Sequence, residues 1–392
     1  MVSLLHVKPL TPEFLESIGF YWHTDTDNTP YVADTLVQVT KEEADAYYEA
    51  VNALYEMFIE AAEYVIKNNL FHEMGIPFNV VDMIKKSWEN DVHWHLYGRF
   101  DLAGGIGGQP IKLIEFNADT PTSLFETAII QWAQLKANGM DEAAQFNTVY
   151  EALKENFKRL VVLGGDTEDF NEYYEGWRIL FSSIAGSIED ENTTRLLQAA
   201  AEEAGFHTDF AYADEVEFGE EGVYKEDVNF EYWFKLIPWE NIGIEEGDLA
   251  LILQDLMAHQ KAIILNPAYT LLFQSKGLMK VLWDLYPNHP LLLQTDTEPL
   301  VGKTYVKKHM FGREGANTSI IDTKGTVVES TEGIYANFPA VYQEFVEFPK
   351  DANGEYYQAG VFFAYEGCGL GFRRGGKILD NYSKFVGHVI KE

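Results

Sequence analysis

The chain has 392 residues, 46% of them hydrophobic and 14% aromatic, a make-up that excludes a disordered protein and allows a large core. Its 62 acidic residues against 29 basic ones give a formal charge of −33, which argues against a general nucleic-acid binder or a polybasic membrane protein. Cys368 is the only cysteine, so an internal disulfide and a cysteine-rich zinc site are both excluded.

The first residues, MVSLLHVKPL, lack the apolar run and small-residue cleavage signal of a secretory peptide. No stretch of about 18 apolar residues is present to cross a membrane, so the cytoplasm is the expected compartment. Residues 1–40 are rich in aromatics, with a turn cluster from Thr24 to Pro30. Thr40 reads as the N-cap of a long helix through Lys67, because Ala44, Tyr47, Tyr48, Val51, Leu54, Tyr55 and Phe58 recur at helical spacing. His72 to Pro77 reads as a turn, and Val80 to Trp88 as a short helix.

From Trp94 to Asn117 the period changes to two, which predicts two strands joined at Gly104, Gly105, Gly107 and Gly108. His93, His95, Tyr97, Arg99 and Asp101 share one face of the first strand; Glu115 and Asn117 share a face of the second. A hairpin can therefore gather Arg99, Asp101, Glu115 and Asn117 on one surface. After Asp119 a helix is expected, with Thr120 as N-cap, Pro121 at the first helical position and Asn138-Gly139 at its end. An arginine, two carboxylates, an amide oxygen and a helix N-terminus then converge, a set suited to magnesium and phosphate.

Helical spacing resumes from Met140 to Leu160, and the acidic stretch after Gly164-Gly165 reads as a loop or short helix. Arg178 to Ile184 reads as a strand, and Glu189-Asp190-Glu191-Asn192 opens a helix ending near Gly205, which together make an α/β unit. Short strands follow between Phe206 and Asp248, then a buried strand from Ala262 to Leu265 and a helix around Gln274 to Leu278. The last third is strand-rich: Thr304 to Met310, a hairpin about Lys324-Gly325, Val341 to Val346, Tyr357 to Phe363, and a glycine-rich segment carrying Arg373 and Arg374. No fixed-period repeat or flexible linker divides the chain, so interleaved lobes are expected.

Several segments, taken in order, resemble the synthetase part of the glutathionylspermidine synthase family, ATP-grasp carboxylate–amine ligases. They are GRFD at residues 98–101, EFNADTPTSL at 115–124, QSKGLMKVLWDLYPNHP at 274–290 and KKHMFGREGAN at 307–317. YQEFV at 342–346, YYQAGVFF at 356–363 and GFR at 371–373 complete the set, which covers roughly residues 90–375. The pairing of GRFD with EFNADTP is specific, whereas GREG alone would be weak.

The resemblance implies an α+β ATP-grasp fold, with a pre-ATP-grasp portion over residues 1–205 and a nucleotide-binding portion over 206–392. It implies ATP and Mg²⁺ as cofactors, transfer of a phosphoryl group to a carboxylate, and attack of an amine on the acyl-phosphate. Asp101, Glu115 and Asn117 match the family's metal positions, Arg99 the arginine on the transferred phosphoryl group, and Arg313 a lid arginine. Lys276 and Lys308 match its nucleotide-phosphate lysines; alternation along the strand sends only one of Lys307 and Lys308 inward, and Lys308 holds the matching place. Gln343, Glu344, Phe345 and Val346 match the adenine hinge, and Gln358 and Arg373 late positions of the nucleotide site. Thr120 and Ser123, with Asp190 and Glu191 from the acidic helix start, match substrate-binding positions, the last two only loosely.

The expected partners are a small-molecule or peptide carboxylate and an amine, with glutathione or a related peptide and a polyamine favoured, and neither nucleic acid nor membrane. The chain is too short for the amidase domain of the bifunctional members, and Cys368 is not in a nucleophile context. A ligase with other substrates and a nucleotide-binding regulatory protein without catalysis are the alternatives. A glycosidase reading of the carboxylates leaves the lysines and the glycine-rich loop unexplained.

Overall fold

A computed structural model describes residues 1–380 and 382–391. The long helix α1 (Lys41–Asn68) opens on a reciprocal cap: Thr40 accepts from the Glu43 N–H, and Glu43 accepts from the Thr40 N–H. It ends where Asn69 turns left-handed at φ 56°. Its buried stripe includes Tyr47, Val51, Leu54 and Phe58 and faces the sheet that carries the hairpin.

That hairpin consists of β1 (Gly98–Ala103) and β2 (Lys112–Asn117), paired Arg99 to Asn117 and Asp101 to Glu115, with a bulge after Asp101. The first strand is shorter than expected: residues 94–97 are not strand. On the core side Phe100 stacks on Phe116 with ring centroids 3.8 Å apart and Phe58 edge-on to both. Each of these buried rings contributes roughly 1.5–3 kcal/mol. The alternation that buries them sends Arg99, Asp101, Glu115 and Asn117 to the other side. Gly105, at φ +81°, lies so close to Tyr47 that a Cβ would come within 2.3 Å of its ring, and the Tyr47 hydroxyl donates to the Gly104 carbonyl at 2.5 Å. The helix thus holds the hairpin turn.

The next helix does not start at Pro121. Residues 119–123 form a loop, Ser123 is left-handed at φ 64°, and regular turns begin at Leu124. Arg99 Nη1 donates to the Thr122 carbonyl at 2.5 Å, so a tertiary contact overrides the local capping signal. One wide turn, Glu126–Ile130, precedes α2 (Gln131–Ala137). The expected helix from Met140 begins only at α3 (Val149–Val162), because residues 140–148 run as a loop past residues 366–375, with the Thr148 N–H on the Cys368 carbonyl.

A four-stranded parallel sheet is built from β3 (Arg178–Ser183), α4 (Ile188–Ala204), β4 (His207–Tyr212), β5 (Tyr232–Lys235), α5 (Trp239–Glu245), α6 (Gly247–Ala258) and β6 (Ile263–Leu265). Its order is β6-β5-β3-β4, so the chain reverses direction of travel between β3 and β5. Two short helices follow, α7 (Thr270–Gln274) and α8 (Leu278–Leu285). The segment expected to be helical around Lys276 is in fact the break between them.

The strands that frame the site from the later part of the chain are β7 (Thr295–Asp296), β8 (Tyr305–His309), β9 (Ser319–Ile321), β10 (Val327–Ser330), β11 (Ala340–Glu344), β12 (Tyr356–Ala364), β13 (Glu366–Gly375) and β14 (Lys384–Val386). One antiparallel sheet runs β7-β11-β8-β9-β10; the other runs β14-β13-β12-β1-β2. The architecture is mixed: besides the parallel sheet and these two antiparallel ones, two three-stranded sheets are formed, one by Leu4–His6, Thr35–Val39 and His388–Ile390 and one by Glu217–Gly219, Gly222–Lys225 and Val228–Phe230. Among the described residues no helix is long and apolar enough to cross a membrane.

Candidate active site

A cavity of about 330 Å³ lies between the hairpin sheet and the β8–β11 sheet. The first turn of α4 and residues 236–238 after β5 close a third side. These two segments leave the carboxyl ends of β3 and β5, where strand order reverses and open parallel sheets form crevices.

The floor of the cavity is the polar face of the hairpin. Arg99 is 7% exposed and grips Asp101 with two bonds, Nε to Oδ1 at 2.7 Å and Nη2 to Oδ2 at 3.0 Å. Asn117 Nδ2 reaches Asp101 Oδ2 at 3.1 Å and Glu115 Oε1 at 3.4 Å. Its own oxygen faces Gln274 Nε2 at 3.4 Å, while Gln274 Oε1 accepts the Ala118 N–H at 3.0 Å. Gln274 therefore orients the amide, a role that no local motif reveals, since it lies 157 positions away in the chain.

Lys276 Nζ pairs with Glu115 Oε2 at 3.1 Å and donates to the Gly312 carbonyl at 2.7 Å. Lys308 is 8% exposed and donates to Gln343 Oε1 at 2.8 Å; the pleat turns Lys307 to the other face of β8. Burial works against the Glu115 charge, but Lys276, Lys308 and Arg99 together hold its carboxyl down to about 2. Burial, with Lys276 nearby, pushes the Lys308 ammonium down to about 8 against the pull of Glu115. The set presents hard oxygen donors beside closely spaced cations, the pattern that suits a magnesium-bound polyphosphate.

Gln343, Glu344, Phe345 and Val346 line the cavity from β11 and the residues after it, and Gln358 lines it from β12, beside Arg99 and Asp101. The N–H groups of Glu344 and Phe345 already donate to the carbonyls of Gln294 and Thr304. Arg373 stands opposite Gln358 across β12 and β13 and is anchored through Nη2 to the Asp380 carbonyl at 2.6 Å. Arg374 falls on the opposite side, near Tyr357.

The loop between β8 and β9 brings Arg313, Glu314 and Gly315 over the cavity. Arg313 Nη1 donates to Thr120 Oγ1 at 2.9 Å, so Thr120 is a wall residue and not a helix cap. Ser123 opens instead on a water-sized void shared with Arg99, Asp101, Thr127 and Arg373. Asp190 lines the main cavity, but Glu191 does not. One residue further along α4 turns its side chain by about 100°, toward Arg195 at 2.9 Å and Tyr212 at 2.8 Å. The neighbour on the other side, Glu189, belongs with Asp190: burial and the charges of Glu126, Asp190 and Glu314 push its carboxyl up to about 8, with Arg373 opposing.

Behind the wall, Lys235 and Asp119 form an ion pair at 3.1 Å with neither side chain exposed. Asp119 Oδ2 also accepts the Trp239 N–H at 2.8 Å, and Lys235 lies 4.3 Å from the centre of the Trp239 ring. Burial lowers the lysine and raises the aspartate. Neither residue is legible as a site from the sequence.

Known proteins resemble this chain along nearly all of its length. A family model described as "Glutathionylspermidine synthase preATP-grasp" matches residues 3–391. A Haemophilus influenzae protein named "Putative acid--amine ligase" is 29% identical, with 97% of each chain covered. The "Bifunctional glutathionylspermidine synthetase/amidase" of Escherichia coli K12 is 26% identical over 90% of this chain, which spans 57% of that longer protein. Among solved structures, a glutathione synthetase-like effector from Globodera pallida superposes with a TM-score of 0.59 over 98% of each chain at 10% identity, which shows a shared glutathione synthetase-like fold.

Proposed function

Because the chain belongs to the glutathionylspermidine synthase pre-ATP-grasp family, we propose that it is an ATP- and magnesium-dependent carboxylate–amine ligase of the ATP-grasp kind. The observation that carries this reading is the meeting of Asp101, Glu115, Asn117, Arg99, Lys276 and Lys308 around one cavity. The two portions of that reading, 1–205 and 206–392, share sheets: β1 and β2 from the first complete the sheet of β12–β14, while β3 from the first lies between β4 and β5 from the second. A cytoplasmic setting fits ATP as a substrate.

In this reading Asp101, Glu115 and Asn117 would hold magnesium, which when bound would supply positive charge to offset that of the phosphates. Lys276 and Lys308 bind the phosphates; the Gln343–Val346 segment and Gln358 receive the nucleoside. Arg99, preset by Asp101, faces charge developing on the transferred group, and Arg313 covers it from above. The acid's carboxylate oxygen attacks the terminal phosphorus and ADP leaves. The amine nitrogen then attacks the acyl carbon, phosphate departs, and the nitrogen loses a proton to leave an amide.

A polyamine such as spermidine is the favoured amine, because Glu189, Asp190 and Glu314 form an acidic wall beside the cavity. Glutathione or a related peptide is the favoured acid, by analogy with the family; Thr120 would contact it. The test is mass spectrometry of products formed from ATP, Mg²⁺ and mixed peptides and amines. Amide formation with stoichiometric ADP is expected, and ATP binding without turnover for every pair would instead favour a regulatory nucleotide binder. Asp101→Asn and Glu115→Gln should each lower kcat by about 100-fold or more while the fold persists. Unchanged kinetics in both would sink the metal assignment.

A further inference from the structure

Arg313 is held from two directions. Besides its bond to Thr120, its Nη2 pairs with Glu240 Oε1 at 2.5 Å. Glu240 is the second residue of α5, on a different sheet layer from the loop, and is 3% exposed. Its Oε2 is fully buried and has no hydrogen-bond partner among the described residues. The nearest cation on its own side, Lys235, is committed to Asp119 and the Ile237 carbonyl. Arg313 is therefore the one cation in an ion pair with Glu240 among the described residues.

We propose that Glu240 is a positioning residue that latches the β8–β9 loop shut through Arg313. Lifting the loop strands a desolvated carboxylate beside the Asp119 charge, so opening is opposed from below rather than by contacts within the loop. The guanidinium has five N–H donors and spends two of them on Thr120 and Glu240. The others remain for the cavity that Arg313 lines. The benefit to the reaction rests on the ligase reading: a closed loop keeps water from the acyl-phosphate. When water reaches it, the acid is regenerated and phosphate is released, so ADP accumulates without amide.

The experiment follows hydrogen exchange of the full chain in residues 311–318, together with ADP formed per amide, in Glu240→Gln. Exchange in this segment should rise about tenfold, with the β1 and β2 peptides unchanged. The ADP-to-amide ratio should rise several-fold, with KM for ATP little altered. Arg313→Met breaks the same pair from the loop side, and adding it to Glu240→Gln should accelerate exchange no further than either change alone. Wild-type exchange rates in a folded Glu240→Gln protein overturn the proposal, as do additive effects in the double variant. If Glu240→Gln does not fold, wild-type exchange in Arg313→Met overturns it. A wild-type chain that joins no acid to any amine defeats the ligase reading, while the exchange data still decide the latch.

Discussion

Gly360 stands directly across from Asp101 on β12, and a Cβ there would lie 3.1 Å from Arg99 Cδ. The arginine lies over the space that the missing side chain leaves. Gly360→Ala should push the guanidinium aside by a few tenths of an ångström and lower kcat about tenfold, with KM for ATP nearly unchanged. Steady-state kinetics with a melting curve separates this from loss of fold. A second residue makes a pH prediction. Glu189 has its carboxyl pushed up to about 8 by burial and by Glu126, Asp190 and Glu314, with Arg373 the opposing charge. Its folded form favours the proton, so its share of stability is full below the ordinary carboxylate range and is lost as pH rises toward 8. Glu189→Gln should flatten the fall in Tm between pH 5 and pH 8, readings about three units apart. An unchanged slope counts against the burial argument.

At the scale of elements, α1 carries the site indirectly, since Tyr47 braces the hairpin turn. Thr40→Ala removes one half of its reciprocal cap and should cost about 1 kcal/mol, read as a lower midpoint in urea with catalysis intact. This helix and the hairpin are legible from the sequence because their signals are local: a helical stripe after a capping threonine, and alternation on both sides of four glycines. Arg99, Asp101, Glu115 and Asn117 follow from that alternation once the register is in hand. The helix after Asp119 is misread for the opposite reason. Thr120-Pro121 is a sound local start, yet Arg99 and Arg313 each take a group from residues 120–122 and keep them out of the helix. Glu240, Gln274 and the Lys235–Asp119 pair are invisible in the same way, because each acts through a residue 73 or more positions distant. The family resemblance supplies the late lysines and the hinge, and these could not be found from spacing.

For the whole molecule, a formal charge of −33 surrounds a cavity into which Arg99, Lys276 and Lys308 converge. Such a field draws a cationic amine toward the protein and repels an anionic acid until it reaches Arg99, Lys276 and Lys308. Raising ionic strength shortens the screening length from about 10 Å at 0.1 M to about 3 Å at 1 M. KM for a polyamine should therefore rise with added salt, whereas KM for the acid should fall or hold. Equal responses would mean that the surface field has no part in substrate capture.

The pairing of β1 with β12 has a consequence for synthesis on the ribosome. The hairpin emerges early, yet its outer edge has no neighbour until residues 356–364 are translated. A nascent chain halted before that point exposes an unpaired strand next to its most charged residues, a template for association with other unfinished chains. Chaperone capture should peak in that window, and the cavity cannot be complete until β12 and β13 have left the tunnel.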